Sequence, residues 1–255
     1  MSGSLVIVGL GPGSVDLLTP SAARALGAAT DLVGYGPYLD RIPQIAPGQR
    51  RHASDNRVEI ERSRHALTLA AEGRKVAVVS GGDPGVFAMA AAVFEAVEGG
   101  ASHWRDLDIR VEPGITAMLA AAAEVGAPLG GDFCAVSLSD NLKSWQTIER
   151  RLRAAATGDF VIALYNPASK ARPHQLGQAF ELLRTIRPPQ TVVLFVRKAA
   201  TPETGVIVTS LAEADPALAD MRTLVIIGAA ATRLIPRTGQ RPWVYTPRAE
   251  TGMAR

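Results

Sequence analysis

Short apolar runs alternating with amphipathic stretches divide the first 125 residues into a repeating pattern. Residues 5–8 are wholly apolar and run into Gly9-Leu10-Gly11-Pro12-Gly13, as expected of a buried strand ending in a tight turn. Thr19-Pro20 puts a hydroxyl cap ahead of a proline at the first helical position, which predicts a helix to about residue 28. Residues 31–33 predict a second strand, and residues 34–51, broken by Pro37, Pro43 and Pro47, read as loop. Helical spacing of apolar positions predicts a helix over 58–72, stopped by Gly73. A strand at 76–79, a loop at 81–85, a helix at 87–97, a strand at 109–111 and a helix at 116–125 follow. Strand, glycine-rich turn and helix in regular alternation imply a mainly parallel sheet.

Beyond Ala127-Pro128-Leu129-Gly130-Gly131 the texture changes. Strands are predicted at 133–138, 160–165, 191–196, 206–211 and 224–227, with helices only at 145–156 and 174–186. The short interval between 191–196 and 206–211 predicts an antiparallel pair, with 224–227 closing the sheet. The fold class expected is therefore α/β with two α/β domains, the N-terminal one (residues 1–120) a mainly parallel sheet and the C-terminal one (121–236) a mixed sheet. Residues 237–255, rich in Pro and Arg, are expected to be an irregular tail.

Composition narrows the class. With 47% hydrophobic and 20% charged residues, the chain has apolar material for one large core or two modest ones and little of the signature of disorder. No apolar run approaches the roughly 20 residues that span a bilayer, so no membrane partner is expected. The first residues lack a basic stretch leading into a longer apolar segment, and the expectation is a cytoplasmic protein. A single cysteine, Cys134, excludes an internal disulfide framework, and the four histidines show no ligand spacing, so no metal site is expected. The net charge is +3, yet the cations are 23 arginines against four lysines. Arginine suits bidentate contact with carboxylates, although a GC-rich genome yields the same bias. Aromatics are few and not interleaved with basic runs, so nucleic acid is not an expected partner.

Three loops carry candidate chemistry, all at the carboxyl ends of predicted parallel strands, where such sheets bind ligands. The Gly9–Gly13 turn resembles a dinucleotide fingerprint only superficially. Pro12 removes an N–H that would face a pyrophosphate, and the helix begins late, near Thr19. In Gly81-Gly82-Asp83-Pro84-Gly85, glycines permit close approach to the main chain and the proline keeps Asp83 extended; an ordinary Asx turn reads the same way. Pro113-Gly114-Ile115-Thr116-Ala117 puts a hydroxyl at a helix start, as a cap, a ligand contact or both.

In this order and at these separations, the three loops, the Leu18-Thr19 pair and Ala163-Leu164-Tyr165-Asn166 resemble the tetrapyrrole methylases, a class of S-adenosylmethionine methyltransferases. The likeness covers about residues 3–230. It implies a cofactor cleft between the two domains, a tetrapyrrole substrate and a homodimer. It also assigns the S-adenosylmethionine site to Pro12, Gly81, Gly82, Asp83 and Val86, with Thr116, Ala117, Tyr165, Asn166 and Ala200. Three segments, Val33–Tyr38, Ser54-Asp55-Asn56 and Ser137–Lys143, look most like the branch that methylates a precorrin at C-17 and contracts its ring in cobalamin biosynthesis. A cobalt-containing counterpart of that substrate is the alternative within the family. Gly36 stands where the uroporphyrinogen-III enzymes carry an Asp, so no proton-transfer role transfers to it. Outside the family, a nucleotide-dependent oxidoreductase or a non-catalytic tetrapyrrole carrier are the rivals.

Ring contraction as the resemblance implies it needs a base for a hydroxyl proton. Asp140, leaving a strand end, is the first candidate, with Asp55 and His52 behind it. Tyr35, Arg41, Arg57, Lys143, Arg150 and Arg197 are the candidates to meet the substrate and its carboxylates. Arg150 and Arg151 adjoin on a helix and cannot both face one site.

Overall fold

The central strands of the first sheet are apolar at nearly every position because both faces are covered. Leu5, Ile7, Val76 and Val78 pack with residues of two helices into one buried cluster, while Val8, Ala77 and Val79 alternate into a second cluster on the opposite face. The computed structural model describes residues 3–42, 46–56, 58–169 and 171–249. They fall into two compact units, Met1–Ala117 and Met118–Arg255.

In the first unit the chain runs β1 (Ser4–Gly9), α1 (Pro20–Ala28), β2 (Asp31–Tyr35), the one-turn α2 (Gly36–Leu39), β3 (Arg50–Ser54), α3 (Glu59–Ala71), β4 (Lys75–Ser80), α4 (Met89–Glu98) and β5 (Asp108–Glu112). The sheet order is β3-β2-β4-β1-β5, with every neighbouring pair parallel. Thr19 caps α1 through its hydroxyl, with Pro20 at the first turn, so the helix begins late as the sequence predicts. Two elements depart from the expected loop over 34–51: α2 and the edge strand β3, whose Arg50-Arg51-His52-Ala53-Ser54 carries no apolar alternation. Its register with β2 is held by main-chain pairing and by a carboxylate beneath it. Asp31, wholly buried at the start of β2, accepts hydrogen bonds from His52 Nε2 (2.8 Å), Arg74 Nη1 (3.0 Å) and Thr30 Oγ1 (2.8 Å), with Arg50 Nε at 3.3 Å.

Helix α5 (Ala117–Ala123) leads into the second unit, made of β6 (Gly126–Ala127), β7 (Phe133–Ser137), α6 (Trp145–Thr157), β8 (Val161–Tyr165), α7 (Gln175–Arg184), β9 (Val192–Arg197), β10 (Gly205–Ser210), β11 (Thr223–Ile227), β12 (Arg233–Arg237) and β13 (Gln240–Tyr245). Its main sheet is mixed, in the order β10-β9-β11-β8-β7. The antiparallel pair β9–β10 matches expectation. β11 does not close the sheet; it lies between β9 and β8, antiparallel to both, and all five of its residues are buried. That insertion leaves β7, β8 and β9 parallel to one another, so their carboxyl ends share an edge. Phe180 and Phe195, in edge-to-face contact at 6.0 Å, sit in the core between sheet and helices.

The tail expected to be irregular is structured as far as residue 245. β12 and β13 form a hairpin, and β13 pairs in parallel with β6. Pro236 falls at the register shift between Ile235 and Arg237, where a missing N–H costs no ladder bond. Arg237 lies 4.4 Å over the Trp243 ring. Of the residues that suggested irregularity, Arg237, Arg241 and Pro242 are thus parts of the hairpin.

Candidate active site

In the first unit, the parallel register Gly9↔Ser80 and Val8↔Glu112 brings the ends of β1, β4 and β5 to one edge. Their three loops interlock through main chain. Gly11 and Gly82, at φ of 70° and 65°, exchange two N–H···O bonds of 3.1 and 2.9 Å. A Cβ on Gly9 would lie 2.7 Å from the Gly114 nitrogen, and one on Gly114 would lie 2.3 Å from the Gly82 oxygen. The glycines serve loop-on-loop contact first.

Asp83 is a clamp. One carboxylate oxygen accepts from Gly85 N–H (2.8 Å) and the other from Gly114 N–H (3.0 Å), tying the β4 loop to the β5 loop. Thr116 behind it is buried. These features argue against a dinucleotide phosphate. The N–H groups of Gly11 and Gly82 are already used, Pro12 has none, and the charged side chain within the three loops is a carboxylate. A nucleoside joined to a zwitterionic, sulfonium-bearing amino acid fits that donor set; a pyrophosphate does not.

Behind the β1 loop stands a stacked group. Tyr35 meets Tyr38 edge-on at 5.5 Å, and the Tyr38 ring fills the space where a Gly81 Cβ would be, 2.8 Å away. Arg41, 5.9 Å from the Tyr38 ring centroid, donates from Nη2 to the Leu10 (3.1 Å) and Gly11 (3.0 Å) carbonyls. Burial lowers its pKa, only partly opposed by Tyr38. Of the two residues expected to touch substrate, Arg41 braces the loop carrying Pro12, and Tyr35 packs edge-on against Tyr38. Val86 lies in the β4 loop, and its N–H reaches the Asp83 carbonyl. Asp55 follows β3 at the same edge and is exposed. Arg57 lies outside the described residues. His52 is not at this edge. It pairs with Val33 in mid-strand and commits Nε2 to Asp31, with Nδ1 3.1 Å from His65 Nε2, so it braces the opposite end of the sheet.

In the second unit, Tyr165 and Asn166 end β8, and Ala200 follows β9 on the same edge. The Met118 N–H donates to Tyr165 Oη (3.0 Å), satisfying one of the open donors at the start of α5, the helix that Ala117 opens. Asn166, at φ 53°, donates to Ser137 Oγ (2.9 Å) and locks the ends of β7 and β8. Ala200, at φ 59°, donates its N–H to Glu124 Oε1 (2.9 Å). Asp140 is half-buried, its Oδ2 accepting from Gln175 Nε2 (3.1 Å). Partial burial, then the nearby Arg151 charge, lowers the Lys143 pKa. Of the adjoining arginines, Arg151 is therefore the one near Lys143, while Arg150 is exposed on α6, opposite the buried stripe Ile148, Leu152, Ala155 and Ala156. Arg197 carries its own counter-ion, Asp220, at 2.8 Å.

Two arginines escaped the sequence reading. Arg62 is buried on α3 and donates to Ser54 Oγ (2.7 Å) and the Asp55 carbonyl (2.6 Å), fixing the end of β3. Arg172, between β8 and α7, has Nε and Nη1 buried with no hydrogen-bond partner. Neither sits in a motif; the one signal was an arginine at a helical position facing the apolar stripe of α3.

The chain is 57% identical over 252 residues to the precorrin-3B C(17)-methyltransferase of a Sinorhizobium species, covering 99% of both. The crystal structure of the methyltransferase CobJ superposes with a TM-score of 0.91 at 56% identity, covering 96% of this chain and all of that one. The uroporphyrin-III C-methyltransferase of Thermus thermophilus, solved in complex with S-adenosylhomocysteine, matches at 26% identity with a TM-score of 0.67, over 89% of this chain and 92% of that one. The family model of the tetrapyrrole (corrin/porphyrin) methylases matches residues 4–215. That span begins in β1, takes in all three interlocked loops and the Tyr165–Asn166 turn, and runs past β10. The chain belongs to the tetrapyrrole methylases.

Proposed function

We propose that this enzyme transfers a methyl group from S-adenosylmethionine to C-17 of precorrin-3B and contracts the macrocycle, giving precorrin-4 in cobalamin biosynthesis. The observation that carries the proposal is the end-to-end likeness to an enzyme named for that reaction. The uncharged main-chain edge of the three loops, with its single clamped carboxylate, supports the cofactor. When bound, S-adenosylmethionine supplies a methyl group already activated by its sulfonium and leaves as S-adenosylhomocysteine.

The residues of this chain then have two tasks. The first is alignment, which can supply much of the rate of a transfer needing little acid–base help. In the first unit, Pro12, Gly81, Gly82, Asp83, Val86, Thr116 and Ala117 form the proposed cofactor group, stiffened by the Asp83 clamp and by Arg41 on the β1 loop. Tyr165, Asn166 and Ala200 form the group in the second unit. The second task is to take the proton of the C-20 hydroxyl during contraction. Asp140 is the proposed base: Gln175 fixes one of its oxygens, and the other has no hydrogen bond among the described residues. Asp55 is the second candidate, its main chain held by Arg62.

Incubation with precorrin-3B and S-adenosylmethionine tests the proposal. The expected product has gained one methyl at C-17 and has a contracted ring. Methylation of the cobalt-containing counterpart alone would overturn the metal-free substrate, and oxidation of NADH without methyl transfer would overturn the class. The proposal includes a cytoplasmic homodimer; sedimentation of the same sample as a monomer at micromolar concentration would remove the dimer.

A further inference from the structure

Beyond the carboxyl ends of β7 and β8 lies a polar cluster that the fold leaves incomplete. Ser169 and Arg172 exchange main-chain hydrogen bonds of 3.1 and 3.0 Å ahead of α7. Inside that region four side-chain atoms are buried without partners: Arg172 Nε and Nη1, Ser169 Oγ and Gln175 Oε1. Gln175 is held from its other end by Asp140, and Asn166 fixes the strand ends through Ser137. Among the described residues, Arg172 has no acidic partner, unlike Arg187 with Asp159 and Arg197 with Asp220.

A guanidinium keeps its charge at any physiological pH, and buried donors left without acceptors destabilise the fold that holds them. Such a group is stabilised by an acceptor that arrives from outside, and the acceptor that matches it best is an anion with more than one oxygen. The Ser169 hydroxyl can donate to the same anion. The position, at the carboxyl edge shared by β7 and β8, is where sheets of this kind receive ligands.

We infer that Arg172, with Ser169, receives a peripheral carboxylate of the tetrapyrrole and so sets the orientation of the macrocycle relative to Asp140. This rests on the reading of the substrate as a polycarboxylate precorrin. Arg172 is assigned to binding, not to the chemical step.

The test compares full-length wild type with Arg172→Ala, Arg172→Gln and Arg172→Lys. Precorrin-3B affinity is read from quenching of tryptophan fluorescence, S-adenosylhomocysteine affinity from calorimetry, and turnover as separate kcat and KM. For Arg172→Ala, a roughly 10- to 100-fold loss of precorrin-3B affinity and a matching rise in KM are expected, the size of one charged hydrogen-bonded contact. Arg172→Lys should recover part of that loss, and S-adenosylhomocysteine affinity should stay within about twofold. Arg172→Gln keeps the bulk without the charge and replaces alanine in the comparison if the alanine variant does not fold. Unchanged precorrin-3B affinity in both neutral variants overturns the inference. So does a parallel fall in both affinities, which would mark a merely structural arginine. A wild type that binds precorrin-3B but methylates it elsewhere than C-17 overturns the proposed reaction and leaves the Arg172 comparison intact. A wild type that does not bind precorrin-3B overturns both.

Discussion

Single side chains divide the labour in ways their types do not announce. Asp83 sits in a loop whose glycines suggest exposure, yet both its oxygens are used internally, on Gly85 and Gly114. Replacing it with alanine should therefore loosen two loops at once. We expect Asp83→Ala to lose about 1–3 kcal/mol of stability and to weaken S-adenosylhomocysteine binding roughly 10-fold, measured by urea unfolding and calorimetry. Full affinity with full stability would show that the clamp is dispensable. The loop's existence and order were legible from its glycines and proline, because close main-chain approach leaves that mark in the sequence. The clamp was not, since its partner N–H lies 31 residues away and any residue supplies an N–H. The arginines were least legible. Among 23 of them, burial separates Arg62 and Arg172 from exposed Arg150, and burial depends on tertiary packing.

At the scale of elements, the central strands were readable because they are covered on both faces and must be apolar throughout. β3 was not, because an edge strand made of Arg, His and Ser is held by partners outside itself. Those partners make it acid-sensitive. Burial pushes the Asp31 carboxyl up, but hydrogen bonds from His52, Thr30 and Arg74, aided by Arg50, outweigh it and hold the pKa below its ordinary value of 3.8. A depressed carboxylate contributes stability that is complete above its unfolded pKa and disappears as pH falls through the folded one. Urea midpoints taken from pH 7 down to pH 2 should therefore fall steeply once the pH drops below about 4. Asp31→Asn should be less stable at pH 7 yet show a shallower decline below pH 4. Parallel curves for the two proteins would remove Asp31 as the source.

At the scale of the whole molecule, the chain divides into two units at Met118, three residues before residue 121, where the second was expected to start. The order of strands within the second sheet was not legible. Nothing local tells β11 to enter between β8 and β9 rather than add at an edge; that choice follows from burying all five of its residues, four of them apolar, on both faces. The hairpin β12–β13 carries a further consequence, one of timing. Val125 and Ala127 accept main-chain bonds from Val244 and Thr246, and the Thr246 hydroxyl donates to the Pro128 carbonyl (2.6 Å). A ribosome moving at 5–20 residues per second, the usual range, would thus expose residues 125–130 without their partners for several seconds, although every strand of the first sheet has emerged long before. Chains stopped after residue 239 should accordingly keep a protease-resistant first unit while being cut near residue 127, and equal resistance at that point would show that the late strand is not what closes it. The second unit is the one whose newborn form needs guarding.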